Sequence, residues 1–405
     1  MLDLCVTKTV FADVSIVNVV ETSAPPVEFT RETLYRWPHP NTMVWYVDGG
    51  QIDGESVILL SEVRFRVHEG RPILLPASLE ILREGENGWV SELLTDSNGV
   101  VFHKAVVFDD GILSISGGAP DSGQPGVLQH WQKNGEQWQT RRIWAGTWSG
   151  TLNRLRDFEL GDVDGDGLEE LVIGTHDHGV VVVLDGAFDG TERASTELAL
   201  EANRYVHEIE LLDLDGDGVL EILASRSDPN LSIQSQAGTI ECFRFDGENY
   251  IRDTIWSSTT THVKEILAAD MDGDGRMELF AAVEAERSDD DRHGQVQIIE
   301  LIWQVDGNHS WRQVAEIDDD GLRFMQAHDV DGQMPMELFL APRNVGLYLM
   351  EWQAEEPGTL WQIDSESGGF EHAIQIFDFD QDGRAELYVA SDHEKSLVRF
   401  QWTLP

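Results

Sequence analysis

The chain alternates short apolar segments with turn residues along almost its whole length. Segments such as ELVIG, EILAS and ELFAAV each follow another short apolar segment. Each then leads through a Gly-containing turn to a third segment, such as GTIECFRFDG, and to a fourth, such as YIRDTIWSS. Segments of this kind, rich in Val, Ile, Phe and Tyr and bounded by Gly, Asp and Asn, are typical of antiparallel strands. The pattern therefore predicts an all-β protein built from four-stranded units.

One acidic motif marks the same point in each unit. The motif D-x-D-G-D-G-x-x-E followed by an aliphatic residue, or an altered copy of it, begins at five positions: Asp162, Asp213, Asp270, Asp329 and Asp378. These starts are 51, 57, 59 and 49 residues apart, and weaker copies place Asp109 and Asp48 at the same phase upstream. A period of this size is typical of propellers and other repeat arrays. We predict a β-propeller of seven blades, with six or eight left open because the first two repeats are degenerate.

The two ends of the chain complement each other. The last repeat stops after its third strand, SLVRFQW, while the segment FTRETLYRW at residues 29–37 resembles the fourth strand YIRDTIW of an earlier repeat. A strand from one end that completes the blade at the other closes the ring and leaves no open sheet edge. The predicted organisation is a seven-bladed propeller over residues 28–405, closed by an N-terminal strand and preceded at 1–27 by an arm or extra strand.

Composition narrows the possible functions. The 405 residues include 74 acidic and 28 basic ones, for a net charge of -46. A surface this negative repels nucleic-acid phosphates and anionic lipids, so a non-specific nucleic-acid or membrane-surface binder is excluded. No apolar run approaches the roughly 18 residues of a membrane helix, so no membrane insertion is expected.

The acidic motif has the composition of a metal loop. Carboxylates at positions 1, 3, 5 and 9 of a tight turn, with a main-chain carbonyl at position 7, supply the oxygen ligands that Ca²⁺ prefers. An EF-hand needs Glu at position 12 and flanking helices, whereas these positions hold Ile173, Ala224, Ala281 and Val389 within strand patterns. The alternative is a solvated acidic turn without metal.

We predict about four Ca²⁺ sites. Their ligands are Asp162, Asp164, Asp166, Leu168 and Glu170; Asp213, Asp215, Asp217, Val219 and Glu221; Asp270, Asp272, Asp274, Arg276 and Glu278; and Asp378, Asp380, Asp382, Arg384 and Glu386. The loop at Asp329 has Gln333 at position 5 and Pro335 at position 7, so it is expected to be a poor site.

These loops resemble the FG-GAP/VCBS repeats of integrin α-chain-like calcium propellers. The motif match covers residues 156–390, and the period extends the match over the chain after residue 28. The resemblance implies a calcium-stabilised propeller whose metal loops lie on the bottom face, between the first and second strands of a blade. The family includes adhesion modules, lectins and the propellers of some polysaccharide lyases and sugar dehydratases, so the resemblance specifies a fold rather than one function.

Basic residues also recur at one fixed position of the repeat. Six residues before the first Asp of each motif stand the members of what we call the basic series: Arg156, His207, Lys264, Arg323 and His372. His103 has this place in the second unit and Thr42 in the first, and the next residue is acidic in three units: Asp157, Glu208 and Glu265. In a propeller this phase opens the innermost strand, at the top of the central channel. Either these residues pair with the adjacent acids between blades, or they form an anion pocket, for example for a uronate.

The turns between second and third strands are expected at the same end. They carry further polar residues, namely His176, Asp177, His178, Arg226, Asp228, Asn230, Arg287, His293, Arg343, Asn344, His393 and Lys395. The HDH triplet in the first of these turns could supply half of a metal site.

The predicted function is recognition. We expect a calcium-stabilised module that binds an acidic carbohydrate, or a protein ligand, at the top mouth through the basic series. The alternative is a polysaccharide lyase or sugar dehydratase, in which Arg156 or Arg323 would neutralise the substrate carboxylate and His207 or His372 would move a proton. Lys264 could serve in either role. A scaffold subunit without a small ligand is the second alternative.

The expected location follows from the calcium loops, which favour an extracellular or periplasmic protein. The N-terminal sequence MLDLCVTKTV has an acid at Asp3 and no basic stretch, which makes a poor signal peptide and leaves a cytoplasmic location open.

Overall fold

The structure is a computed structural model in which every described element is a β-strand. It describes residues 24–148, 153–176, 178–186, 194–198, 201, 204–229, 236–286, 294–303, 309–353 and 358–403. No helix in these ranges is long and apolar enough to cross a membrane.

The strands form seven sheets, each with a path of four antiparallel strands. The chain begins with β1 (Glu28–Arg36). Blade 1 contains β2 (Thr42–Ile52), β3 (Glu55–His68), β4 (Arg71–Leu74), β5 (Ala77–Gly85) and β6 (Gly88–Asp96). Blade 2 contains β7 (Val101–Phe108), β8 (Gly111–Gly117), β9 (Gly126–Asn134) and β10 (Gln137–Gly146). Blade 3 contains β11 (Leu155–Gly161), β12 (Glu170–Thr175), β13 (Val181–Leu184) and β14 (Ser195–Leu198).

The later blades repeat this order. Blade 4 contains β15 (Tyr205–Leu212), β16 (Glu221–Ser227), β17 (Gly238–Phe245) and β18 (Tyr250–Ser258). Blade 5 contains β19 (Val263–Ala269), β20 (Glu278–Val283), β21 (Val296–Trp303) and β22 (His309–Ile317). Blade 6 contains β23 (Leu322–His328), β24 (Glu337–Pro342), β25 (Leu347–Glu351) and β26 (Leu360–Asp364). Blade 7 contains β27 (Ile374–Phe377), β28 (Glu386–Ser391), β29 (Ser396–Thr403) and β1.

The first strands of the blades surround the central channel. Each contacts the first strand of the next blade, from β2 through β27, and β27 in turn contacts β2. The seven blades predicted from the repeat period are therefore confirmed, as is the four-stranded unit. The acidic motifs all lie between first and second strands, at the end we call the bottom. The opposite end, where the first strands begin, is the top.

The predicted closure by the N-terminal strand is also confirmed. β1 pairs antiparallel with β29, from Glu28 opposite Thr403 to Arg36 opposite Ser396. The ring of Phe29 lies 6.1 Å from those of Phe339 and Trp402, which anchors β1 on the core between blades 6 and 7.

Hydrophobic cores lie between neighbouring blades. Between blades 3 and 4, for example, Val172 and Val181 pack with Ile209 and Ile222, and all four side chains are buried. Full burial of such a side chain contributes roughly 1.5–3 kcal/mol, so each blade is stabilised chiefly by its two neighbours.

Blade 1 departs from the predicted alignment. The repeat period aligned Asp48 with the first Asp of the later motifs, but it lies inside β2, where its carboxylate accepts a hydrogen bond from the Val107 amide at 2.7 Å. The β2–β3 connection is a tight hairpin with Asp53 and Gly54 at positive φ, so it has no room for the acidic loop of later blades. The repeat phase in this blade is therefore shifted from the predicted one.

Candidate functional site

A β-bulge opens the first strand of most blades, at the position of the basic series. The strand pairing skips Arg156, His207 and Lys264 in blades 3, 4 and 5, and a wider irregularity covers Arg323 in blade 6. Bulges re-aim side chains and are common beside functional sites. In blade 1 the skipped residue is Trp45, three positions after the predicted Thr42, so an aromatic side chain has this place.

Two arginines of the basic series share one buried carboxylate. Glu371, which is 1% exposed, accepts a short hydrogen bond from Nη1 of Arg323. Its other oxygen lies 3.6 Å from Nη2 of Arg156. Burial alone would raise the pKa of Glu371, but the two guanidinium groups hold it below the usual value, so the carboxylate is charged. Two positive charges thus meet a single negative one.

Lys264 and His207 form a buried pair beside these arginines. The Lys264 Nζ lies 3.0 Å from Nδ1 of His207, and Nε2 of that imidazole lies 2.7 Å from the Ser227 Oγ. Burial holds the pKa of Lys264 well below that of an ordinary lysine. The charges of Arg323 and Arg156 lower it further, whereas that of Glu284 raises it. Burial and the adjacent lysine likewise lower the pKa of His207. Burial therefore favours the uncharged form of both groups.

Three further histidines extend this cluster. The imidazole of His103 lies 3.0 Å from Nη1 of Arg156, His176 stacks on Tyr205 at 4.4 Å, and His262 lies 5.2 Å from the His207 ring. Burial and the nearby cations lower the pKa of all three, that of His262 to about 3. The three imidazoles are therefore uncharged near pH 7, beside the guanidinium groups of the cluster.

His372 does not join the other four members of the basic series. Its Nδ1 donates to the Pro342 carbonyl at 2.6 Å, and burial lowers its pKa to about 4. Its φ of 54° lies in the left-handed region, and the adjacent Glu371 is the residue that contacts Arg156 and Arg323. Blade 7 thus supplies an acid to the mouth where a base was predicted.

Aromatic side chains border the cationic groups. The Arg323 guanidinium lies 4.5 Å from the centroid of Phe370, and that of Arg343 lies 5.2 Å from it. Trp45 packs against His103 at 4.5 Å and lies 6.2 Å from Phe370. Phe370 is 42% exposed, so an apolar face remains open to solvent beside the charges. We call Trp45, Phe370 and the four clustered members of the basic series the mouth.

The acids expected to pair with the basic series instead form a separate layer. Asp157 lies 2.9 Å from Nζ of Lys104, which also contacts Glu159 at 2.5 Å. Glu265 accepts a hydrogen bond from the Met325 amide at 3.2 Å. Burial and the neighbouring acids raise the pKa of Glu208 well above its usual value. Of the two readings left open by the sequence, pairing of Arg156, His207 and Lys264 with the next acid is not found among the described contacts.

Only some residues of the turns between second and third strands lie in the cluster around Lys264 and His207. His176 and Arg343 reach the cluster, and Arg343 pairs with Glu284 at 3.1 Å. Arg226 is buried elsewhere, against Glu241 at 2.7 Å. The other predicted residues Asp177, Asn230, Arg287 and His293 lie outside the described residues, as does the centre of the HDH triplet.

The acidic loops at the bottom share one conformation. In the first, Asp162 accepts hydrogen bonds from the amides of Gly165 at 2.7 Å and Gly167 at 3.0 Å, and Glu170 accepts one from Val163 at 3.0 Å. The loops at Asp213, Asp270 and Asp378 repeat this arrangement in large part. The backbone amides therefore hold the carboxylates of each loop close together.

The ligand set suits a hard cation. Oxygens of Asp162, Asp164 and Glu170 lie within 4.8 Å of one another, as do those of Asp270, Asp272 and Glu278. Within the described residues, Oε1 of Glu170 and Oδ1 of Asp270 are buried without a hydrogen-bond donor. A cation would satisfy both atoms. Burial and the neighbouring aspartates raise the pKa of Glu170 to about 7, as expected when several carboxyls converge.

The remaining loops show the same tendency. Asp213, Asp215 and Asp217 converge within 4.8 Å. In the altered loop, Asp329, Asp331 and Glu337 do so as well, although position 5 is Gln333. The remaining carboxylates of that loop thus still converge.

Comparisons with known proteins agree with this architecture. The model of the FG-GAP-like repeat matches residues 162–224, which include the loops at Asp162 and Asp213. No curated protein matches the chain in sequence.

Among solved structures, an α-L-arabinanase of Penicillium chrysogenum complexed with arabinobiose has a TM-score of 0.50 and 12% identity, covering 93% of this chain and 98% of the arabinanase. Sqt1 of Chaetomium thermophilum has a TM-score of 0.48 and 10% identity, covering 89% and 83%. At these identities the similarity concerns the fold alone. The chain is a seven-bladed β-propeller that carries the FG-GAP-like repeat.

Proposed function

We propose that this protein is a calcium-stabilised recognition module that binds an acidic saccharide at the mouth. The observation that carries the proposal is the excess of cationic groups there. Arg156 and Arg323 share the carboxylate of Glu371, and Lys264 has no carboxylate within ion-pair distance among the described residues. A ligand carboxylate at this point would gain charge-assisted hydrogen bonds and would relieve the repulsion between the two guanidinium groups.

The aromatic surroundings favour a saccharide over a small inorganic anion. Pockets that bind organic ligands combine apolar walls with a few convergent polar groups. Phe370 presents a partly exposed apolar face next to Arg323, and Trp45 lies near Arg156, with 5.9 Å between its ring and the guanidinium carbon. A uronate would place its carboxylate on the guanidinium groups and its C–H face on an aromatic ring.

Loss of cationic side chains from the mouth should abolish binding. For the Lys264→Ala, Arg323→Ala double variant we expect glucuronate or galacturonate to bind at least about 100-fold more weakly, because two charge-assisted hydrogen bonds contribute roughly 1.5–3 kcal/mol each. Isothermal calorimetry against a panel of uronates measures the affinity, and circular dichroism checks that the variant is folded.

The matched control is Arg244→Ala. Arg244 lies on the third strand of blade 4 and forms an exposed ion pair with Asp253, so its loss should leave uronate affinity unchanged. Equal affinity for glucose and glucuronate, or no uronate binding by the wild-type protein, would contradict the proposal.

Calcium should raise the melting temperature. Each occupied site adds about 2.7 kcal/mol of folding free energy when free Ca²⁺ exceeds its Kd 100-fold. Since several loops have a complete carboxylate set, we expect melting temperatures with Ca²⁺ and with chelator to differ by at least about 5 °C. Differential scanning calorimetry at about pH 8, where the loop carboxyls are ionised, measures the difference.

Two variants separate site binding from general ionic effects. Asp213→Asn with Asp270→Asn removes position 1 from two loops and should reduce the calcium-dependent shift. Asp109→Asn changes an acid in the β7–β8 turn, which has no such cage, and should preserve it. A calcium shift that is the same in both variants would show that the loops are not the sites.

A lyase or dehydratase is the second candidate, favoured by the buried Lys264–His207 pair. Two bases whose pKa is lowered by burial lie beside guanidinium groups that could neutralise a substrate carboxylate. This is the arrangement needed to remove a proton α to a carboxylate. The appearance of an unsaturated product, measured by ultraviolet absorbance on acidic polysaccharides, would select this candidate over simple recognition.

We also propose an extracellular or periplasmic location. Repeats of this type are common in extracellular proteins, and weak calcium sites suit compartments where Ca²⁺ is abundant.

A further inference from the structure

Two buried lysines on first strands have opposite surroundings. Lys104 is 7% exposed, and its Nζ contacts Asp157 at 2.9 Å, the Phe158 carbonyl at 3.0 Å and Glu159. Lys264 is 2% exposed, and its Nζ contacts only imidazole nitrogens among the described hydrogen-bonding partners. The ionised form of Lys104 is therefore fully paired, whereas that of Lys264 is not.

The hydrogen bonds around His207 place an acceptor nitrogen against Nζ of Lys264. The Ser227 hydroxyl donates to the Asp228 carbonyl at 2.8 Å, so it accepts from Nε2–H of His207 at 2.7 Å. Nδ1 of His207 is then an acceptor, and it receives one hydrogen from Lys264 Nζ at 3.0 Å. A neutral amine that donates this hydrogen keeps its lone pair for another partner.

The groups facing this amine disfavour its protonation. Arg156, Arg323 and Arg343 act on it as positive charges, and Glu284 is the principal opposing charge. Glu284 is itself engaged with Arg343 at 3.1 Å and with His262 at 3.5 Å. Desolvation and neighbouring cations are the two means by which proteins make a lysine nucleophilic at neutral pH.

We propose that Lys264 forms an imine with a carbonyl compound that also carries a carboxylate, such as the open-chain form of a uronate or a 2-oxo acid. This proposal rests on the proposed function, because the carboxylate would bind at Arg156 and Arg323 while the carbonyl carbon reaches Nζ of Lys264. It adds a covalent step to recognition and selects reducing-end acidic sugars over internal residues of a chain.

The covalent step is a condensation with no redox change. The Nζ lone pair attacks the carbonyl carbon, a C–N bond forms, and the carbonyl oxygen takes up a proton to give a carbinolamine. The nitrogen loses one proton to His207 or solvent, and the carbinolamine hydroxyl takes up a second proton. The nitrogen then loses its other proton as the C–O bond breaks and water leaves. The products are an imine and one water molecule, so no oxidant, reductant or further co-reactant is required.

Reductive trapping tests this step. The full chain is incubated at about pH 7 with glyoxylate and cyanoborohydride, and carboxymethyl-lysine is located by peptide mass mapping. An ordinary lysine, with a pKa of about 10.4, is less than about one-thousandth neutral at this pH. Lys264 should therefore be labelled at least about tenfold faster than half-exposed Lys133, with Lys104 unlabelled.

Two further experiments test whether the labelling takes place in the mouth and at Lys264. Methyl glucuronide, which bears the carboxylate but cannot open to an aldehyde, should protect Lys264 from labelling. Lys264→Arg should abolish the fast labelling at this position and leave the slow labelling of Lys133 unchanged. Labelling of Lys133 as fast as that of Lys264, or no labelling of Lys264, would overturn the imine proposal. Uronate binding without labelling would leave the proposed function standing, whereas absence of both would end both.

Discussion

Deletion of residues 1–37 is expected to abolish the cooperative folding of this propeller. The truncated chain lacks β1, so β29 is left as an exposed edge and the ring is open between blades 7 and 1. Analytical ultracentrifugation and thermal unfolding should show an aggregated or non-cooperative species in place of a monomer with one sharp transition.

The size of this effect follows from what β1 contributes. Phe29 packs on the core between blades 6 and 7, Trp37 is 5% exposed, and the Tyr35 hydroxyl donates to Glu80 of blade 1 at 2.7 Å. Loss of buried Trp37 and half-buried Phe29 removes roughly 2–4 kcal/mol. Since a native protein is stable by only about 5–15 kcal/mol, the lost hydrogen-bond ladder and the open edge should exhaust the remainder.

Deletion of residues 1–20 is the control, because it leaves β1 and the residues that flank it in place. This shorter truncation should melt close to the full chain. A peptide of residues 24–37 added to the longer truncation should restore a cooperative transition. If the 1–37 deletion melts like the full chain, β1 does not close the ring.

The repeat period predicted the fold because each blade buries similar surfaces against its two neighbours. Strands such as β18 coincide with the segment YIRDTIWSS that was read from the sequence. The acidic loops were predictable because their structure is local. Asp162 and Gly165, for example, form a hydrogen bond that does not depend on distant parts of the chain. Closure by residues 29–37 followed from the one strand missing at the C-terminal end.

The contacts of the mouth could not be predicted from the period. Glu371 contacts arginines from two other blades, and Lys104 contacts acids from the next blade, so both depend on packing between repeats. In blade 1 the position of the basic series falls at Trp45 and not at Thr42. The sequence did not reveal this, because blade 1 has no acidic loop on which to align the repeat. The conformation of His372 has no signal in the repeat. The role of Glu371 as the shared partner of two arginines likewise has no signal in the repeat.

Lys104 supplies the positive charge that offsets the buried acids of the acidic layer. Asp157 and Glu159 contact Lys104 directly, and the charge of Lys104 also lowers the pKa of Glu208 and Glu210 against the effect of burial. Lys104→Met keeps the length of the side chain but removes this charge. We expect it to destabilise the protein by about 3–5 kcal/mol, the usual consequence of leaving buried charges without their partner.

This destabilisation should shrink in acid. The pKa of Glu159, Glu208 and Glu210 is raised in the folded protein, first by burial. Such carboxyls bind protons more tightly when folded, so their contribution to stability is present at low pH and is lost as pH rises. The pKa of Lys104 is raised well above its ordinary value, so the lysine stays charged throughout this range. Urea denaturation should therefore give a larger stability difference between wild type and Lys104→Met at about pH 8 than at about pH 5.

Two variants distinguish loss of charge from loss of packing at this position. Glu159→Gln in the Lys104→Met background removes one of the unpaired acids and should recover part of the lost stability, because it lowers the repulsion that the lysine had offset. Lys133→Met removes a half-exposed lysine that lies 5.4 Å from the Trp138 ring, and it should change stability by less than about 1 kcal/mol. If Lys104→Met destabilises the protein equally at both pH values and Glu159→Gln recovers nothing, the lysine acts through packing, and the acidic layer does not need its charge.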